Sequence, residues 1–277
     1  MKKLKAPRAV LCINDLSGAG RCSLAVVLPV LAVMGCQPVA LPTLLLSTHT
    51  GGLGQPARLG CEEYGPAALR HYKELGLELD CIYVGYLAGP AGLRLAGEAF
   101  DLWPAALKVL DPVMGDNGRY YTGLEGLAEG LRGLAGRADL VLPNLTEACF
   151  LSGRAYEDAV FGREEAQQLA RSMAGLCKSV VVTGLPMGKY LGCAGAGREE
   201  FVLKKPYAPQ PCHGSGDLFA AVLIGGLLRG NALSAAADAA AEFVSASIAA
   251  TPPDADPRLG LWFEPILGRL AGSQPGR

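Results

Sequence analysis

The stretch His213-Gly214-Ser215-Gly216-Asp217 brings together residue types that handle phosphate and protons. Glycines on both sides of a serine let the backbone turn sharply, so that successive N–H groups converge on one concavity. The apolar run at 218–228 reads as a buried helix that begins here. A helix start presents unpaired N–H groups and a partial positive charge, which suit a phosphate. Asp217, in that first turn, is placed to take a proton from a substrate hydroxyl. Ser and Asp also cap ordinary core helices, and taken alone the stretch favours that plainer role.

Polar residues with similar potential follow one apolar run after another: Asp15, His49 and Thr50, Tyr86, Asp111, Asn144 and Glu147, then Thr183. Each also has a plain reading as part of a hydrated loop. Asn144 and Glu147 have the spacing of a capping box, and the same pair fits the edge of a metal–phosphate site. The loop at 111–118 carries Pro112 and two glycines, and reads as a flexible lid over substrates. Gly18-x-Gly20-x-x-Ser23 fails the dinucleotide fingerprint, with no acid about twenty residues on. No Walker A pattern is present, so a phosphate site would rest on the Gly214–Gly216 nest rather than on a P-loop lysine.

The elements that must position these residues alternate. Short apolar runs at 8–13, 37–46, 81–84, 107–110, 139–142 and 179–183 read as buried strands. Helical patterns cover 22–34, 62–75, 90–102, 125–134, 164–177, 217–228 and 232–250, with a last one at 262–270. Residues 189–193 and 199–204 look like an antiparallel pair at a sheet edge. This alternation predicts an α/β fold whose mostly parallel sheet gathers the polar loops along one edge. No linker or repeat divides the 277 residues, so one domain is expected, with a proline-rich approach at 207–212 and a disordered tail from about 272.

Composition removes several function classes. Half the residues are hydrophobic, 18% are charged, and the net charge of −1 is scattered, which argues against nucleic-acid partners. Nine cysteines without Cys-x-x-Cys spacing, beside only three histidines, make a zinc site improbable. They fit reduced, buried thiols of a cytoplasmic protein, and Cys212 reads as a packing residue. The apolar run after Met1-Lys2-Lys3 is too short for a signal peptide. The uncharged residues 22–57 are divided by Pro29, Pro38 and Pro42, so no membrane span is expected.

Several ordered motifs together resemble the vitamin kinases of the ribokinase-like superfamily, pyridoxal kinases most closely, from residue 13 to about 250. Asp-Pro-Val-Met-Gly at 111–115 is typical of pyridoxal and hydroxymethylpyrimidine kinases, and 143–153 resembles their Asn-x-x-Glu segment. His-Gly-Ser-Gly-Asp at 213–217 resembles the superfamily anion hole. Ser-Thr-His-Thr-Gly at 47–51 and Gly-Tyr-Leu-Ala-Gly at 85–89 resemble loops beside the pyridoxal pocket. The resemblance implies a three-layer α/β/α fold and ATP-dependent phosphorylation of the 5′-hydroxymethyl group of a B6 vitamer. It makes Asp217 the base and Gly214, Ser215 and Gly216 the anion hole. Asp111 and Glu147 would organise Mg²⁺ and the triphosphate, Glu147 through water, and Asn144 and Thr183 would flank the nucleotide. Asp15, Thr50 and Tyr86 would contact the pyridine ring, with His49 supporting that loop. A cytoplasmic homodimer is implied, and a monovalent cation such as K⁺ is left open.

Two loops depart from the usual pattern. Asn14-Asp15-Leu16-Ser17-Gly18 is closer to the Ser-Asp-Pro-Ser-Gly loop of hydroxymethylpyrimidine kinases, and Ser-Thr-His-Thr replaces Ser-Asn-His-Thr. A hydroxymethylpyrimidine kinase is therefore the nearest rival. A sugar kinase would need an early lid insertion that is not evident. A non-catalytic vitamer-binding protein is disfavoured by the intact Asp217, and a nicotinamide-dependent oxidoreductase by the failed fingerprint.

Overall fold

The structure, a computed structural model, describes residues 6–206 and 213–272. The approach at 207–212, with Cys212, and the tail at 273–277 lie outside the described residues.

The chain opens with β1 (Arg8–Ala19), α1 (Leu24–Val33), β2 (Cys36–Thr48) and β3 (Arg58–Gly60). Next come α2 (Tyr64–Glu74), β4 (Cys81–Val84), α3 (Pro90–Leu102) and β5 (Leu107–Leu110). A small hairpin, β6 (Gly115–Asp116) with β7 (Arg119–Tyr120), precedes α4 (Ala128–Ala135), β8 (Leu140–Val141), α5 (Leu145–Ser152) and α6 (Arg163–Ser172). Three longer strands follow, β9 (Val180–Met187), β10 (Tyr190–Ala196) and β11 (Phe201–Pro206), then α7 (Ser215–Leu228) and α8 (Leu233–Ala250).

The strands form one nine-stranded sheet in the order β11-β10-β9-β8-β5-β4-β1-β2-β3. From β2 to β9 all neighbours are parallel, and antiparallel strands close both edges. Alternate residues of β1 serve opposite faces, as the pleat requires. Val10 and Cys12 pack with α1, α7 and α8, whereas Leu11 and Ile13 pack with the layer of α2 to α6. The result is the expected α/β/α sandwich around a mostly parallel sheet.

Helix α7 is apolar all round, which is what a helix packed on both its sheet and its neighbours requires; Leu218 to Gly226 are all buried. Helix α8 is the one described helix long and apolar enough to cross a membrane by those measures alone. Its buried residues Leu233, Ala236, Ala237, Ala240, Phe243 and Ser247 fall on one stripe, the pattern of a helix laid on a protein core.

Two expectations need correction and a third gains detail. β1 does not end at residue 13 in a glycine turn: a bulge between Asn14 and Leu16 lets it stay paired with β2 as far as Ala19. Residues 14–19 read as a loop because Asn14, Asp15 and Ser17 are polar and Gly18 follows, but these polar side chains are buried at a strand end beside the candidate site. The segment at 111–118, read as a flexible lid, runs into a small hairpin in which Gly115-Asp116 pairs with Arg119-Tyr120. The expected last helix is a 3-10 run, Glu264–Leu270.

Candidate active site

Asp217 lies in the first turn of α7 but does not serve that helix. The N-cap of α7 is Gly214, which has no side chain to cap with and stands in a left-handed conformation, φ 78°. The Asp217 carboxylate instead reaches the end of β1, accepting from the Ser23 N–H at 2.7 Å and from the Asn14 amide at 3.2 Å. These bonds lead the Asp217 carboxylate away from a capping role in its own helix.

The orientation of Asn14 is itself set. Its Oδ1 accepts from the N–H groups of Asp15 and Tyr86 at 2.9 and 2.8 Å, so its NH2 group must face Asp217. Asn14 thus joins the ends of β1 and β4. From β1 the chain continues to β2 on one side, while β4 lies on the other, and such a switch point opens a crevice beyond the strand ends. Asp15 is buried in that crevice, where it accepts from the Ser17 hydroxyl at 3.3 Å. Burial raises its carboxyl above the ordinary range. Tyr86 is half-buried beside it, held through its carbonyl by the Thr43 hydroxyl at 2.8 Å. Burial raises the Tyr86 phenol, and the Asp15 charge adds to the rise.

The other flank gathers the remaining acids. Asp111, buried at the end of β5, faces the first turn of α7: a Cβ added to Gly216 would stand 4.0 Å from its Oδ2. Tyr83, fully buried on β4, donates its hydroxyl to the same oxygen at 3.5 Å. Asn144 and Glu147 do form the capping box of α5, each side chain accepting from the other's backbone N–H at 2.9 Å. Glu147 also accepts from the Met114 N–H at 3.1 Å, which ties α5 to the segment after β5. The Asn144 amide donates to the Gly115 carbonyl at 2.8 Å, and Thr183, midway along β9, pairs in a parallel bridge with Asn144.

Electrostatically this is an acidic site. Burial pushes the Asp217 carboxyl up to about 6; the Asp15 charge adds to this, while bonds from Ser23 and Asn14 oppose it. Burial takes Glu147 to about 8 against its backbone hydrogen bonds. Asp111 is raised well above the carboxylate range by burial first, then by the charges of Glu147 and Asp217. No salt bridge among the described residues reaches any of the three. Clustered carboxyls at raised pKa mark a site that a cation or an arriving proton would relieve.

The structure therefore brings Asp15, Tyr86, Asp111 and Asp217 to one crevice, with Asn144, Glu147 and Thr183 on its flank. Gly214, Ser215 and Gly216 form the turn into α7 between them. Thr50 is exposed on the loop after β2, and that loop connects to the glycine loop before α7 through the tilted rings of His49 and His213, 4.5 Å apart. Sequence reading missed Asn14, Ser23 and Tyr83 as site residues. Asn14 had a detectable signal, a polar residue ending an apolar strand; Ser23 acts through its backbone, and Tyr83 hides in the apolar run Cys81–Val84.

A parallel sheet sandwiched between helices, with an aspartate and a glycine turn opening one helix at the switch point, defines a kinase of the ribokinase-like superfamily. A family model for phosphomethylpyrimidine kinase matches residues 73–260, and the chain belongs to that family. The pyridoxine/pyridoxal/pyridoxamine kinase of Bordetella avium is 30% identical over 246 residues, 80% of this chain and 78% of its own. A Bacteroides thetaiotaomicron structure ascribed to a phosphomethylpyrimidine kinase superposes with a TM-score of 0.92 at 31% identity, covering 100% of this chain and 98% of its own. The same protein in a crystal form with pyridoxal gives 0.89 at 32% identity, covering 95% and 96%. Pyridoxal kinase from Lactobacillus plantarum gives 0.88 at 30% identity, again covering 95% and 96%.

Proposed function

We propose that this kinase transfers the γ-phosphoryl group of ATP to the 5′-hydroxymethyl group of pyridoxal, pyridoxamine or pyridoxine. The observation that carries the reading is the Asp217 carboxylate, held by Ser23 and Asn14 away from its own helix and beside the glycine turn. The acceptor oxygen attacks the γ-phosphorus, its bond to the β,γ-bridging oxygen breaks, ADP leaves, and the hydroxyl proton passes to Asp217. The N–H groups of Gly214, Ser215 and Gly216 neutralise the phosphoryl oxygens as they pass; a preorganised donor of this kind is worth about 3 kcal/mol of barrier. Asp15, Thr50 and Tyr86 bind the ring, and Asn144 and Thr183 flank the nucleotide.

The donor set suits Mg²⁺ brought in with the triphosphate. No group of three His, Cys, Asp or Glu among the described residues makes a protein cage for a metal. Mg²⁺ keeps waters and leans on phosphates, so it needs no such cage. Asp111 would hold it directly and Glu147, whose oxygens already take backbone N–H groups, through water. The ion would supply charge neutralisation at the β- and γ-phosphates. The family resemblance supports a cytoplasmic homodimer.

The second reading, a hydroxymethylpyrimidine kinase, is favoured by the family model and by the Asn14–Gly18 loop. ATP-to-ADP turnover with each B6 vitamer and with hydroxymethylpyrimidine, with and without Mg²⁺, decides between them. Mg²⁺-dependent turnover highest on a B6 vitamer is expected. A preference for the pyrimidine would transfer the enzyme to the second reading, and no turnover on any of these would remove both.

A further inference from the structure

After α8 the chain returns to the rim of the acceptor side. Asp256 caps the 3-10 turn Pro257–Leu259, accepting from the Arg258 N–H at 3.0 Å and holding the Arg258 guanidinium at 2.7 Å. Two consecutive carbonyls of this turn point back at the site. That of Arg258 accepts from His49 Nε2, and that of Leu259 accepts from the Arg21 N–H at 3.0 Å. His49 Nδ1 accepts from the Gly51 N–H at 3.0 Å, so its proton sits on Nε2 and the ring spans the loop and the turn. The Arg258 guanidinium also reaches the Gly52 carbonyl at 3.5 Å, and Glu264 holds Arg21 from the other side at 2.6 Å.

Both partners of this segment touch the anion-hole loop. The His49 and His213 rings lie 4.5 Å apart, and a Cβ on Gly51 would meet the His213 ring at 2.5 Å, so backbone and ring are in direct contact. The Arg21 carbonyl packs against Gly214, and Ser23, two residues on, holds Asp217.

We propose that the segment at 256–264 is a clamp that sets the acceptor loop (48–52) and the turn at 21–23 against the anion-hole loop, with Asp256 and Arg258 as positioning residues for the acceptor. Neither residue touches the acids of the site. This rests on the kinase reading for its kinetic consequence, but not for its structural one.

The test compares Asp256→Ala, Asp256→Asn and Arg258→Ala with the unaltered protein. Asn keeps the acceptor that caps the turn, whereas Ala removes it. In Asp256→Ala and Arg258→Ala the KM for the vitamer rises roughly three- to tenfold, the equivalent of a lost hydrogen bond or two, while the KM for ATP stays within about twofold. Amide hydrogen exchange speeds up at 48–52 and 21–23 in those variants and returns towards normal in Asp256→Asn. Unchanged exchange in those two segments overturns the clamp. So does faster exchange across the whole sheet with both KM values rising together, which would make the segment merely structural. If the unaltered protein phosphorylates no vitamer, the B6 reading fails and the exchange comparison alone decides the clamp.

Discussion

At the scale of single residues, the proposed base role makes Asp217 the group that sets the pH behaviour. Its carboxyl must be ionised to accept the hydroxyl proton, and burial holds it at about 6. The ionisation of Asp217 is therefore expected to make kcat/KM fall about tenfold per pH unit well below pH 6. The same shift has a stability consequence of definite sign. A carboxyl raised in the folded state favours folding below its unfolded value near 3.8, and that advantage is lost as pH rises through about 6. Asp217→Asn is expected to lower kcat by about 10²–10⁴. It should also raise the unfolding free energy at pH 8 by about 1–2 kcal/mol, and by less at pH 5. The gain is limited because an amide would set one NH2 group against that of Asn14, whose orientation is locked. Turnover within tenfold of the unaltered enzyme would take the base role from Asp217. This aspartate was legible in sequence as a candidate, with capping as the plainer reading; only its partners, 194 and 203 residues away in the chain, separate the two.

At the scale of elements, the two glycines that open α7 differ in what they support. Gly214 has φ 78°, and a Cβ there would stand 2.0 Å from the Arg21 carbonyl oxygen. Gly216 is exposed, has no positive φ, and would place a Cβ no closer than 4.0 Å to Asp111. Gly214→Ala should therefore cost about 2 kcal/mol or more in urea unfolding, from left-handed strain and displaced backbone, with kcat falling at least about 100-fold. Gly216→Ala should leave stability within about 0.5 kcal/mol and still depress kcat, because a methyl group intrudes where phosphoryl oxygens pass. Equal destabilisation by the two changes would contradict this division. The strand–helix alternation that delivers α7 to the site was readable from hydrophobic runs. The extension of β1 through Asn14 to Ala19 was not, since a bulged strand end that lines a pocket is polar like a loop.

At the scale of the whole molecule, the two faces of one sheet carry the two parts of the core, and the eight described cysteines are all buried. Burial pushes thiols such as Cys22 and Cys193 up to about 12, so they are neither exposed nor ionised near neutral pH. In the folded protein these eight are expected to resist a disulfide reagent, and to become reactive in urea in one step that coincides with loss of far-UV circular dichroism. Thiols appearing in two separated steps would overturn the one-domain expectation.

The amino-acid sequence by itself determined the alternation of strands and helices, the loops at one sheet edge and the glycine turn before a buried helix. These depend on hydrophobic period and on backbone freedom, which are local properties. Tertiary structure alone decided that the Asp217 carboxylate meets the end of β1 rather than its own helix, that Tyr83 lies against Asp111, and that the Arg258 carbonyl in the turn after α8 meets His49. Those contacts join residues far apart in the chain, and no local pattern encodes which distant strand end a carboxylate or a carbonyl will meet.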